Sequence, residues 1–388
     1  MQVWDCVPCE GDSLSGWILE RYSLEITTIS PVHIGDGGRL TPLDYLEEGR
    51  VIHVINEDKL FEELERRRLV NHFINYVESA RGASLREFVE RFMRDAGPRI
   101  YRGMIKYSLE VLSGRCEGKH ILTFMRNAEG KAYIPGSEIK GAVRIALLHS
   151  ILEKDPTKIS IVLRMLESDQ RDEDILLRPR IGEPQGDLGR LIRPSDTSPI
   201  DRVCVAQMYR ASTRLGRAVP LSLVEVIPQN VTARADLTLV SSERIVREIG
   251  GPISIQGIVE ACMRKSRKVV ELEIRRIREM IRGAPEDPWT ALNQFYDNLL
   301  RELDRCGEME AVLRIGGGQG LYSTTLVSAL MDNSDFSGIM GAGEAGGGRR
   351  LKEVRSLISG GRPYNIKVVD VNGRFVPLGW VRVVFREA

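Results

Sequence analysis

Three short segments rich in glycine or proline, each beside a stretch patterned as strand or helix, constrain this chain more than anything else in it. They are ISPVHIGDGGRLTPLD (29–44), YIPGSEIKGAVRIALL (133–148) and LRIGGGQGLYSTTL (313–326). Glycine has no Cβ, so the backbone can come close to a bulky partner at such places. Exposed main-chain N–H groups in these bends can also receive phosphate oxygens. The partner is then a nucleotide, a nucleic-acid backbone or the protein's own packed interior.

The pattern around these segments is mixed. YSLEITTIS (22–30) alternates apolar and polar residues and predicts a strand that ends at Pro31; VIHVIN (51–56) predicts a second. Residues 58–95 are charge-rich, with Leu60, Leu64, Phe73, Tyr76 and Val77 at helical spacing. KHILTFMR and KAYIP flank the turn Asn127–Gly130 and predict a hairpin. Ser137 then stands where a helix cap is expected. Residues 155–200 form a polar excursion with a strand inside it, and 221–240 predicts one or two more strands. A second helical block covers 243–307, followed by the last glycine turn and a helix over 322–331. Residues 337–350 are low in complexity. Asn372-Gly373 between alternating runs predicts a closing hairpin.

No regular strand–helix alternation runs through this order, so a doubly wound sheet and a (β/α)₈ barrel are disfavoured. The fold class expected is α+β, with two ferredoxin-like units carrying helical insertions. The units are placed at 1–240, with an insert near 57–115, and at 241–388, with an insert near 243–310.

Charge narrows the function. The 388 residues carry 55 basic and 54 acidic side chains, a net charge of +1. This balance argues against a general DNA coater, and any nucleic-acid surface must be a local patch. Arginine greatly outnumbers lysine, which suits phosphate contact and equally reflects genomic base composition or thermal adaptation. Among six cysteines only Cys6 and Cys9 form a C-x-x-C, and no second ligand pair follows, so neither metal nor cofactor is expected. No apolar run has the length of a membrane span, and no signal pattern is apparent, so a cytoplasmic protein is expected.

Loops of this kind serve three chemistries. Gly136-Ser-Glu-Ile-Lys140-Gly141 fails as a phosphate-binding P-loop, because Ala142 and Val143 stand where Lys and Ser/Thr belong. The last glycine turn likewise lacks the third glycine of a dinucleotide motif. His33, on a turn after a strand, suits proton transfer in RNA cleavage, yet no second titrating partner lies near it in sequence. Passive contact with a sugar–phosphate strand needs only amides and a few cations. His33, Gly35, Gly37, Gly38 and Arg39 supply the first group. Ser137, Lys140 and Arg144 supply the second, with Lys140 and Arg144 four apart on one helix face. Arg314, Gly316, Gly317, Gly318, Gln319 and Gly320 supply the third.

These same segments resemble the RAMP superfamily of CRISPR-associated proteins. Ile134, Pro135, Gly136, Ser137, Lys140, Gly141 and Arg144 match its I-P-G-S-x-x-K-G-x-x-R signature. Ser195 and Asp196 match its Ser-Asp segment, and VPLGWVRV matches its last strand. The T-P-L-D-Y run and the two-unit length are similar to the fifth-subunit branch of type III-A (Csm) complexes. The resemblance implies two ferredoxin-like (RRM-type) domains and a non-catalytic subunit capping the complex at the 3′ region of the CRISPR RNA. The partners it implies are that RNA, neighbouring Csm backbone subunits and recruited nucleases. Two alternatives stand beside it: a metal-independent guide-processing endoribonuclease using His33, and a structural adaptor with little RNA contact. Asp36 lies on the loop where backbone subunits carry a cleaving aspartate, but its surrounding motif differs. Gln319 stands where the family often has a basic residue.

Overall fold

The computed structural model describes residues 17–79, 82–94, 102–154, 188–212, 216–242, 253–281, 288–331 and 365–388. In chain order these form β1 (Trp17–Thr28), β2 (Gly35–Leu40), β3 (Tyr45–Glu48), β4 (Val51–Ile55), α1 (Glu57–Arg66), α2 (Val70–Ser79) and α3 (Leu85–Phe92). Next come β5 (Ile105–Val111), β6 (Ile121–Phe124), α4 (Gly136–Lys154), β7 (Ile192–Pro194), β8 (Cys204–Ser212), β9 (Arg217–Val226) and β10 (Thr232–Ser242). The order closes with α5 (Ile255–Ile281), α6 (Trp289–Arg305), β11 (Glu310–Arg314), β12 (Asn365–Val371), β13 (Arg374–Pro377) and β14 (Trp380–Glu387).

The alternation in β1 reads directly onto the structure. Tyr22, Leu24 and Ile26 are buried, while Ser23, Glu25 and Thr27 between them are half-buried, as a period of two requires. β1 is the middle of a five-stranded sheet, β11-β14-β1-β10-β7. α4 and the start of α5 cover its apolar face with Ile139, Val143, Ala146, Ile258 and Val259. The second sheet has nine strands, with β2-β6-β9-β8-β5-β4-β3 in line and the β12–β13 hairpin joined through β8. One buried cluster runs through both sheets. A second joins α4, α5 and α6 to Val312, Val368 and Trp380. The fold is α+β.

The first helical block becomes a three-helix insert with its own small core around Leu64, Phe88 and Met93. Asn56 caps α1 by accepting from Lys59 N at 3.1 Å, with Glu57 and Asp58 in the first turn complementing the helix dipole. Ser84 caps α3 in the same way. Of the apolar positions expected to pack, Val77 is exposed.

The structure departs from the sequence pattern in several places. Both sheets cross the boundary drawn at 240/241: β14 pairs with β1, and β12 pairs with β8. The closing hairpin forms around Asn372 and Gly373, both at positive φ, but its second arm breaks at Gly379 and β14 enters the other sheet. β6 does not form a full hairpin with the following segment. It pairs with β2 and β9, and the turn keeps one bridge, Arg126 to Ala132. The helix over 322–331 is two single turns, Leu321–Thr324 and Val327–Leu330. Residues 337–350, Cys6, Cys9 and most of 155–200 lie outside the described residues. Among the described residues no three His, Cys, Asp or Glu side chains are grouped to hold a metal ion, and no helix is long and apolar enough to cross a membrane.

Candidate functional site

The three sequence segments meet at the seam between the sheets, where the chain repeatedly crosses from one to the other. Residues 29–34 leave β1 and lie against Ile227, with Val32 N donating to Ile227 O and Ile227 N donating to Val32 O, both at 2.9 Å. Gly379 N donates to Pro31 O at 2.9 Å, Ile315 N to Gly379 O at 2.8 Å and Gly317 N to His33 O at 2.7 Å. Gly316 N donates to the Glu138 carboxylate on the first turn of α4 at 2.9 Å. First loop, last loop and signature helix are therefore one hydrogen-bonded unit.

This construction explains two glycines. Gly316 has φ +76, and a Cβ there would lie 2.4 Å from His33 O. At Gly136 a Cβ would lie 2.4 Å from Pro194 O, because the 194–197 segment runs directly over the start of α4. Asp196 accepts from Gly136 N at 2.8 Å, so it caps this helix. Ser137, the cap expected from sequence, is exposed within the first turn.

The expected contact residues divide by orientation. Gly35, Asp36, Gly37, Gly38 and Arg39 are all exposed. They form β2, whose register against β6 shifts between Gly35 and Arg39. Asp36 accepts from Gly38 N on its own strand at 2.8 Å and from Thr123 Oγ1 on β6 at 2.5 Å. Gly317 and Gly320 are exposed, Gly316, Gly318 and Gln319 half-buried. Gln319 donates to Gly316 O at 2.8 Å and so braces its own loop. Lys140 and Arg144 are half-buried, and Nη2 of Arg144 is enclosed by protein.

Arg314 points inward. It is 6% exposed, and Nε donates to Leu378 O at 3.0 Å. Its guanidinium lies 5.3 Å from the Trp380 ring centroid and 3.6 Å from the Glu273 carboxylate on α5. It also donates to Gly318 O and Ser323 Oγ, each at 3.4 Å. A cation so enclosed is engaged by the protein's own interior. The amides of Gly316, Gly317 and Gly38 are likewise used within the protein.

His33 is nearly buried, with Nδ1 donating to Glu225 O at 2.7 Å. Burial holds its pKa below the ordinary histidine value. The Glu225 side chain is fully buried. It accepts from Phe124 N at 3.0 Å, Arg126 Nη2 at 2.9 Å and Tyr107 Oη at 3.1 Å. The Arg126 guanidinium lies 4.1 Å from the Tyr107 ring centroid, as a stacked cation does. This network forms the floor beneath the first loop.

Sequence reasoning missed Glu138, Glu225 and Lys367. A lone carboxylate in the apolar run SLVEVI was a signal for Glu225, since a buried charge needs partners. An acid in the first turn of a helix was a signal for Glu138. Lys367 had none: it is exposed on β12, and its Cβ lies 3.3 Å from where a Gly318 Cβ would stand.

Comparison with known proteins fits this geometry. The RAMP superfamily model matches residues 25–321. The CRISPR system Cms protein Csm5 of Streptococcus thermophilus is 24% identical over 241 residues, 59% of this chain and 67% of that protein. The protein of the same name from Mycobacterium tuberculosis (strain CDC 1551 / Oshkosh) is 26% identical over 155 residues, and that from Methanocaldococcus jannaschii 26% over 161. These alignments cover 35% and 40% of this chain and only 40% and 38% of those proteins. A chain in the cryo-EM structure of a Csm–crRNA–target RNA ternary complex from a type III-A CRISPR-Cas system has a TM-score of 0.64 and 21% identity, covering 95% of this chain and 100% of that one. The crystal structure of T. onnurineus Csm5 gives 0.61 and 20%, covering 92% and 99%. Both likenesses are of fold.

Proposed function

This chain belongs to the RAMP superfamily, and from that premise we propose that it is the RNA-contacting end subunit of a type III-A CRISPR (Csm) ribonucleoprotein, seated at the 3′ region of the CRISPR RNA. The observation that carries this reading is the joining of three glycine-bearing segments at one seam, with Arg39, Ser137, Gly317 and Gly320 exposed on those segments and Lys367 exposed beside Gly318. A surface of exposed glycines lets a strand approach closely, and scattered cations hold phosphates without reading bases. Neighbouring Csm backbone subunits are the protein partners in this reading, and trimming of the guide falls to recruited nucleases. The subunit supports guide maturation and assembly, and is not itself a nuclease.

The test is binding of full-length protein to single-stranded RNAs of unrelated sequence. Replacing Lys140 and Lys367 by Ala together should weaken all of them alike and reduce the slope of log affinity against log salt by about 1.4. An unchanged slope would remove these lysines from the interface. RNA cross-linking in the assembled complex addresses the adaptor alternative. Absence of any cross-link at the seam would favour an adaptor.

A further inference from the structure

His33 offers the seam something that neither amides nor cations supply. A carbonyl oxygen only accepts, so the 2.7 Å contact with Glu225 O places the ring proton on Nδ1 and leaves a lone pair on Nε2. Both ring nitrogens of His149 are enclosed without a hydrogen-bond partner. Nε2 of His33 is not enclosed and has no partner among the described residues, so it meets solvent. It faces Gly35, where a Cβ would stand 3.3 Å away. Gly317 flanks the ring's other edge, its own Cβ position 3.5 Å from Cδ2. Two glycines thus keep the approach to this nitrogen clear. Burial and the charge of Lys367 favour the neutral ring, while Glu225 and Asp36 act in the other direction.

A lone pair there needs a donor on the ligand. Phosphate and deoxyribose oxygens only accept along the backbone of DNA. Ribose adds the 2′-hydroxyl, the donor that distinguishes the two strands. We infer that Nε2 of His33 accepts a hydrogen bond from a ribose 2′-hydroxyl, so that this position selects RNA over DNA. The inference rests on the RNA-contact reading above and names the atom that would enforce it.

The experiment measures binding of the full-length protein, in EDTA, to one sequence as RNA, as 2′-fluoro RNA and as DNA. All three carry the same base donors, and only the first has the 2′-hydroxyl. Wild type should bind RNA roughly three- to ten-fold more tightly than the other two, as one hydrogen bond allows. In His33→Ala, and in His33→Phe with its ring volume kept, the three should bind alike, at the wild-type affinity for 2′-fluoro RNA. Equal binding of all three by wild type overturns the inference, and the wild-type arm decides this even where a variant does not fold. A preference that survives in a folded variant also overturns it, while leaving RNA contact standing. Failure of wild type to bind any strand removes the RNA-contact reading itself. Cleavage of the RNA alone makes Nε2 a base and overturns its role as a reader.

Discussion

Residues 35–39 and 314–318 look like two copies of one device, an arginine beside a run of glycines, yet the structure turns them in opposite directions. Arg39 and its glycines lie on an exposed strand. Arg314 lies inside, on Glu273 and Trp380, and its glycines close against His33 and Leu378. In the first region glycine keeps a surface open. In the second it lets two backbones touch. The same residue type therefore answers to different demands, and substitution separates them.

The largest effect is expected at Gly316. Alanine there meets His33 O at 2.4 Å, backbone against backbone, and must also hold φ near +76. Neither chain can yield without breaking the bond from Gly317 N to His33 O. Gly316→Ala should lose about 4 kcal/mol or more of stability, read by chemical denaturation, and a near-wild-type midpoint would contradict the close approach.

Arg314 comes next. Arg314→Met keeps much of the side chain's length and leaves Glu273 buried without its cation, which should cost about 3 kcal/mol. Arg314→Met with Glu273→Leu should recover most of that loss. The pair also carries a pH signature. Burial raises the Glu273 pKa from 4.5 to about 7, against the opposing pull of Arg314. The folded state then holds this proton where the unfolded chain releases it. Its contribution to stability is complete below 4.5 and declines as pH rises through about 7. Glu273→Gln should flatten the stability profile in that window. A profile unchanged by the substitution would mean that the carboxyl titrates alike in both states.

The contrast explains what sequence could and could not give. Strand β1, the Asn372-Gly373 hairpin and the two long helices were legible because their signals are local: alternation, a positive-φ turn and helical spacing. The meeting of the three segments is a matter of register and pairing between strands far apart, which no local pattern encodes. The α4 cap illustrates this. Ser137 was the local candidate, but Asp196, sixty residues on, reaches Gly136 N first. Arg314 was misread for the same reason. Its counter-charge and its stacking partner sit on a distant helix and on the last strand, so it looked like a free cation beside a flexible loop.

Arg39 should therefore behave as the reverse of Arg314. Arg39→Ala should leave the denaturation midpoint within about 0.5 kcal/mol of wild type, as expected for an exposed side chain. It should lower affinity for RNA of any sequence and reduce the salt slope by about 0.7. Loss of stability with unchanged binding would erase the distinction between the two loops.

Gly37 gives a small expected effect and the sharpest comparison with Gly316. Both adopt positive φ, +86 and +76, so alanine carries a similar conformational penalty at each. The difference is steric. A Cβ at Gly37 meets nothing within 4 Å, whereas at Gly316 it meets a carbonyl. Gly37→Ala should thus cost only the left-handed term, about 1 kcal/mol. The gap between the two substitutions isolates the backbone contact from the conformational preference. If both cost the same, φ alone would govern the two loops, and the packing of the last loop against His33 would contribute nothing to holding the seam together.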